Sequence, residues 1–302
     1  MLNSWQVTEE AARAALSLPL TQEKPFKSLY LYLIVDEPAV ELMPIHFLPP
    51  ASRAQIEEDS LRELAVAAKL EYARNRWLDE VVDHPDSVPG LSSVHRLNDA
   101  VLTLIDSRYA RVLDGPAAGA FFLMLSNLYA RHGLSLTLDS TWSPDPTSSI
   151  TLEEYVEHAK MRHGPVRAAM DAILLSVGAA DDLLERARSS WHNWALGIQF
   201  YDDALDIEED LRNRNLSWTV ARTLEFFNGS SDDFDAQSLL EPDAFYEVAL
   251  TEGVISETLH HAESFFAESA RLAGATFPSW TKYQEACVNQ ARHLREDYEK
   301  LI

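Results

Sequence analysis

Two stretches of the chain gather carboxylates at helical spacing. In Leu78-Asp79-Glu80-Val81-Val82-Asp83, Asp79 and Asp83 stand four residues apart and share one face of a helix, while Val81 and Val82 point elsewhere. In Gln199-Phe200-Tyr201-Asp202-Asp203-Ala204-Leu205-Asp206-Ile207-Glu208-Glu209-Asp210, the spacing stacks Asp202, Asp206 and Asp210 as a ladder. Like charges stacked in this way destabilise the helix that carries them. Their chemistry is that of hard oxygen ligands: Mg2+ takes carboxylate oxygens and fills its remaining octahedral positions with water and substrate phosphate. Two such clusters facing each other can hold a diphosphate between them through metal. The plain alternative is that both are solvated faces of an acidic protein. Against it, each cluster follows an aromatic and aliphatic stretch, which gives its helix one end in a core and the other at a carboxylate rim.

The overall charge bears on the same question. Asp and Glu number 48 against 25 Lys and Arg, a formal charge of -23, which repels phosphate backbones and anionic membrane surfaces. No nucleic-acid partner is expected, and an anionic small substrate needs metal to invert the local sign. The single cysteine, Cys287, forms neither an internal disulfide nor a thiolate metal site and fits a reducing compartment, so a cytoplasmic location is expected. The longest apolar stretch, Ala117 to Leu125, falls far short of the ~20 residues that span a bilayer. Glu9 and Glu10 near the start do not suit a secretory leader.

The elements that must position these acids read as helices, because apolar residues recur at spacings of three and four rather than in alternation. After Pro49 and Pro50, the residues Leu61, Leu64, Ala65, Ala68, Leu70 and Tyr72 lay an apolar stripe toward Trp77 and Leu78. The breakers from His84 to Gly90 stop this helix just past the first acidic cluster. Further helices are expected near Leu91 to Leu113, Pro116 to His132, Leu152 to Val177, Asp181 to Asp210, Ser217 to Phe227, Ile255 to Ala273 and Pro278 to Leu301. The apolar run Lys27 to Val35 suits a strand by composition and cannot be told from buried helix. Ser135 to Ser149 and Asn228 to Asp235 read as irregular connections. With no repeat and no composition break, residues 1–302 are expected to form a single all-α domain.

These residues resemble a known family, the trans-prenyl diphosphate synthases and related class I terpene synthases of the isoprenoid synthase superfamily. Asp79-Glu80-Val81-Val82-Asp83 resembles the first aspartate-rich motif of that family, and Gln199-Phe200-Tyr201-Asp202-Asp203-Ala204-Leu205-Asp206 resembles the second. Between them, Ile150-Thr151-Leu152-Glu153-Glu154-Tyr155 followed by Arg162-His163-Gly164 is similar to the segment that opens a cavity-lining helix. The resemblance spans about Leu61 to Arg222. It implies an isoprenoid-synthase-type helical bundle around a central apolar cavity, often paired as a homodimer. It also implies an allylic prenyl diphosphate as substrate and Mg2+ at the mouth, roughly three ions, held by Asp79, Asp83, Asp202, Asp203 and Asp206. On the same resemblance Arg162 is the catalytic cation that stabilises charge growing on the leaving group, and Arg162, Gln199, Arg212 and Arg214 bind the diphosphate. Arg222 is a further candidate cation. The alternative for Arg212, Arg214 and Arg222 is surface pairing with Glu208, Glu209 and Asp210. Ile198, Trp194 and Trp191 lie four, eight and eleven residues before Asp202 on one helical face. They are read as cavity wall, where the indoles guide a carbocation, or else as plain core.

Several family features are missing. The basic residues before the long helix are Arg13, Lys24, Lys27 and Arg53, in no Gly-Lys-Arg context, and Ser87-Val88-Pro89-Gly90 stands where an Arg-Arg-Gly stretch is usual. A site for isopentenyl diphosphate is therefore poorly supported. Glu80 replaces the second aspartate of the first motif. Asn75 and Arg74 stand four and five residues before Asp79, where polar groups suit a hydrocarbon pocket badly unless partnered. The expected function is that of a Mg2+-dependent class I terpene synthase that ionises an allylic prenyl diphosphate and cyclises or quenches the cation. The alternatives are a prenyltransferase acting on isopentenyl diphosphate or another acceptor, and an inactive regulatory partner subunit of a synthase.

Overall fold

The computed structural model describes residues 3–18, 21, 24–35, 37–83, 91–142, 150–228 and 242–301. They form α-helices and short 3-10 turns, with no strand among them. In chain order the helices are α1 (Ser4–Leu16), α2 (Lys24–Ile34), α3 (Pro38–Glu41), α4 (Met43–His46), α5 (Glu58–Asp83), α6 (Leu91–Tyr109), α7 (Gly115–Thr141) and α8 (Leu152–Arg162). They continue with α9 (Ala168–Ser176), α10 (Asp181–Leu205), α11 (Ile207–Asn213), α12 (Trp218–Asn228), α13 (Pro242–Thr251), α14 (Val254–Ala273) and α15 (Pro278–Glu299). The chain divides into two compact units, each built from separate stretches: Met1–His132, His163–Arg188 and Ala273–Trp280 in the first, Gly133–Arg162, Ser189–Leu272 and Thr281–Ile302 in the second.

The first unit is organised around α5, which is buried on nearly every side through Leu61, Leu64, Val66, Ala68, Leu70, Ala73 and Trp77. Helices α1, α2, α3, α6 and α9 pack against it. One fully buried ion pair ties the N-terminal helices down: Lys69 Nζ on α5 lies 3.0 Å from Glu41 Oε1 on α3. The same carboxylate accepts the Thr8 hydroxyl of α1 at 3.0 Å and the Glu37 N–H at 3.0 Å, so the buried charge is fully partnered. The ambiguous run Lys27 to Val35 is helical as far as Ile34, within α2, which buries Phe26, Leu29 and Leu33 at helical spacing.

In the second unit α11, α12 and α13 pack around Ala204, Ile207, Leu211, Val220, Leu224, Phe245, Ala249, Ile255 and Leu259. Helix α8 starts at a capping box, in which Thr151 N–H donates to Glu154 Oε2 at 2.9 Å and Glu154 N–H to Thr151 Oγ1 at 3.2 Å. Three expectations need correction. The segment read as one helix from Leu152 to Val177 is broken after Arg162 by a 3-10 turn at Pro165–Arg167, where Pro165 has no N–H to donate. The segment from Asp181 to Asp210 is interrupted at Asp206, where φ -99 and ψ 16 leave the helical well. The first half of the connection expected from Ser135 to Ser149 is helical, because Ser135 is buried and His158 Nε2 reaches Asp139 Oδ1 at 3.1 Å. The breakers from His84 to Gly90, residues 143–149, and all but Asn228 of the connection from Asn228 to Asp235 lie outside the described residues.

Candidate active site

The first acidic cluster ends α5, in the first unit. Asp79 is almost buried, with its Oδ1 3.7 Å from Nε2 of His132, a residue of α7 that the sequence reading did not single out. Glu80 does not stand free beside it: its carboxylate accepts the Ser28 hydroxyl and the Tyr32 hydroxyl, both on α2. The Asp83 side chain lies outside the described residues. The polar pair one turn below Asp79 is partnered. Arg74 Nε donates to Asn98 Oδ1 at 2.8 Å, its Nη1 to Asn75 Oδ1 at 3.3 Å, and its guanidinium lies 4.7 Å from the centroid of the Tyr129 ring. Tyr129 in turn donates to Glu71, which has no exposed surface. The interior below Asp79 therefore carries a hydrogen-bonded network across α5, α6 and α7.

The second cluster lies where α10 passes into α11, in the second unit. Asp202 and Asp206 are exposed, and Asp203, a hundred degrees around the helix, is 2% exposed. Asp203 accepts the Tyr155 hydroxyl, the Gln199 amide at 2.8 Å and the Trp218 backbone N–H at 2.7 Å. The Tyr155 ring packs edge-on against Phe200 at 5.3 Å and tilted against Trp218 at 5.7 Å, which closes the pocket around the carboxylate. Burial pushes the Asp203 carboxyl up, and hydrogen bonds from Tyr155, Gln199 and Trp218 with the charge of Arg162 pull it back. Burial and the neighbouring Asp203 charge push Asp210 up as well. The backbone bonds Asp206 N–H to Asp202 O at 2.9 Å and Asp210 N–H to Asp206 O at 2.8 Å run through the interruption, so α11 leaves α10 at a kink rather than a full break. The even three-rung ladder on a single helix is thus not what forms.

The remaining expected residues divide. Arg162 is half-buried and its charge acts on Asp203 and Tyr155, and Gln199 bonds the same carboxylate. Arg212 and Arg214 are exposed, and Arg214 closes α11 in the left-handed region at φ 60. Arg222 pairs with Glu225 and approaches Glu257 at 3.6 Å instead of Glu208, Glu209 or Asp210. Trp191 and Trp194 are buried with ring centroids 4.4 Å apart, and Ile198 is half-buried one turn on. The reading missed Tyr155, Trp218 and His132 as partners of the acids. A signal for Tyr155 existed in its place within the quoted motif segment, and none marked the other two.

Oxygen donors are what Mg2+ takes, and it binds through as few as one or two carboxylates with water completing the shell. Exposed Asp202 and Asp206, one turn apart, suit that demand in kind. No group of three or more His, Cys, Asp or Glu side chains converges closely enough to form a complete protein cage among the described residues.

No protein-family model matches the chain, and no curated protein matches it in sequence. Solved structures do match. A heptaprenyl diphosphate synthase from Staphylococcus aureus superposes with TM-score 0.74 at 11% identity, covering 95% of this chain and 98% of its own. A geranylgeranyl pyrophosphate synthase gives TM-score 0.71 at 13% identity, covering 98% and 99%. A polyprenyl synthase from Caulobacter crescentus, complexed with calcium and isoprenyl diphosphate, gives 0.66 at 16% identity, covering 95% and 92%. The chain has the all-α isoprenoid synthase fold over nearly its whole length. No helix among the described residues is long and apolar enough to cross a membrane.

Proposed function

We propose that this protein is a Mg2+-dependent prenyltransferase that ionises an allylic prenyl diphosphate and passes the carbocation to an acceptor. The observation that carries the reading is the second acidic motif, with Asp202 and Asp206 exposed at the end of α10, on a chain that shares its full-length fold with prenyl diphosphate synthases. In the reaction the allylic C–O bond breaks, its electron pair leaves with the diphosphate, and acceptor electrons form the new bond to carbon as a proton is lost. Bound Mg2+ supplies Lewis-acid stabilisation of the leaving diphosphate. Asp202 and Asp206 in the second unit, and Asp79 and Asp83 in the first, are the proposed ligands. Arg162, Arg212 and Arg214, with the Gln199 amide, are the proposed contacts to the anion, and Trp191, Trp194 and Ile198 the proposed apolar wall. A cyclising terpene synthase is the second reading, favoured by the missing basic stretches that would hold a second diphosphate.

The experiment is product analysis with Mg2+ and geranyl, farnesyl or geranylgeranyl diphosphate, each with and without isopentenyl diphosphate. Products that require the second diphosphate support elongation; alcohols or hydrocarbons from the allylic substrate alone support the cyclase. Silence throughout, including with other acceptors, returns the protein to a non-catalytic partner subunit. Asp202→Ala and Asp79→Ala are each expected to abolish turnover and leave the far-ultraviolet helix signal intact. Unchanged turnover in both variants refutes the metal assignment.

A further inference from the structure

The resemblance implies that Asp203 binds metal beside Asp202 and Asp206, yet the Asp203 carboxylate is 2% exposed and engaged inside the protein. Asp203 takes one donor from each of three helices: the Tyr155 hydroxyl of α8, the Gln199 amide one turn back on α10 at 2.8 Å, and the N–H of Trp218, the first residue of α12, at 2.7 Å. The Trp218 N–H belongs to the first turn of α12, whose N–H groups have no partner within the helix, so Asp203 caps that helix from outside it. Turning this carboxylate toward a cation in solvent would strand a buried hydroxyl and a buried N–H together. Its two companions differ. Asp202 and Asp206 are exposed, and the Asp206 N–H bonds the Asp202 carbonyl at 2.9 Å, which ties Asp206 to the last turn of α10.

We propose that Asp203 is a positioning residue, a latch that fastens α8 and the first turn of α12 to the end of α10 and thereby aims Asp202 and Asp206, the two members of the motif that meet metal. The metal half of this inference rests on the proposed function; the latch itself rests on the contacts of Asp203. The same latch sets Arg222, one turn into α12, whose guanidinium lies 5.8 Å from the Trp218 ring centroid.

Mn2+ serves as the probe, counted by its paramagnetic resonance signal on the full chain, with backbone hydrogen exchange over residues 216–224 followed in parallel. In Asp203→Asn the number of Mn2+ ions bound is expected to stay at the wild-type value while the apparent dissociation constant rises about ten- to a hundredfold, as when other groups that orient ligands are removed. Exchange of the Trp218 N–H should rise about tenfold in the same variant. Tyr155→Phe removes one donor, keeps every carboxylate, and is expected to weaken Mn2+ in the same direction without losing an equivalent. Asp202→Asn is expected to reduce the number bound and leave Trp218 exchange unchanged. Loss of an Mn2+ equivalent in Asp203→Asn with Trp218 exchange at the wild-type level overturns the latch. Unchanged Mn2+ affinity in both Asp203→Asn and Tyr155→Phe also overturns it, since a merely structural contact behaves that way. A wild-type protein that binds no Mn2+ overturns the proposed function instead, a failure visible before any variant is made.

Discussion

Glu71 lies two turns below Asp79 on α5 with none of its surface exposed. Burial pushes its carboxyl from an ordinary 4.5 up to about 7, against the pull of Arg74 and of the Tyr129 hydrogen bond, with Asp106 adding to the rise. The unfolded chain loses this proton near pH 4.5 and the folded chain holds it to about 7. Between those values folding takes up a proton, so stability falls as pH rises through the window; below it both states keep the proton, and above it neither does. The full loss is about 3 kcal/mol. Glu71→Gln keeps an acceptor for Tyr129 and removes the titration. The wild-type minus variant difference in unfolding free energy, measured in urea, should therefore fall by about 3 kcal/mol across the window and level off above it. A difference that stays flat with pH would mean that Glu71 is hydrated in the folded protein.

At the scale of elements, α10 and α14 approach each other tightly at one glycine. Gly197 carries no side chain where Phe266 of α14 presses in, and an added Cβ would stand 2.5 Å from two ring carbons. The helix interior asks for no special φ at this position, so close packing is the reason for glycine. Gly197→Ala is expected to destabilise by about 1–3 kcal/mol through overpacking. Combining it with Phe266→Leu should give less than the sum of the two single losses, read from denaturant midpoints. This contact was hidden in the sequence, where Gly197 reads only as a helix interior glycine. Other boundaries were legible for local reasons: α5 from its stripe and prolines, α8 from Thr151 and Glu154, α15 from Pro278. Of the expectations that failed, the break after Arg162 has a local cause in Pro165, whereas the helical stretch past Ser135 meets distant partners. Ser135 looks like loop and is helix because His158 and Asp139 meet over it. Asp203 looks like a third ligand beside Asp202, and only the fold brings Tyr155 and the start of α12 to cover it. The acidic motifs were visible because their residue types recur at helical spacing; what each carboxylate faces depends on long-range packing that spacing does not carry.

For the molecule as a whole, a formal charge of -23 sets two responses that separate cleanly. Carboxylate self-repulsion opposes the compact state, and salt shortens its reach from ~30 Å at 0.01 M to ~10 Å at 0.1 M. Thermal midpoints should rise with NaCl in the wild type and in every ligand variant alike, because screening acts on the whole surface. Mg2+ at matched ionic strength adds a binding term where a site exists, about 2.7 kcal/mol when free metal is a hundredfold above its dissociation constant. With an unfolding entropy of ~2.1 cal/mol/K per residue, a chain of this length converts that into a rise of roughly 4 °C. The Mg2+ increment should shrink in Asp202→Asn/Asp206→Asn while the NaCl response persists. Equal midpoints in MgCl2 and NaCl for the wild type would make the exposed acids of α10 and α11 solvated charge and nothing more, and an increment undiminished in the double variant would take the metal away from Asp202 and Asp206.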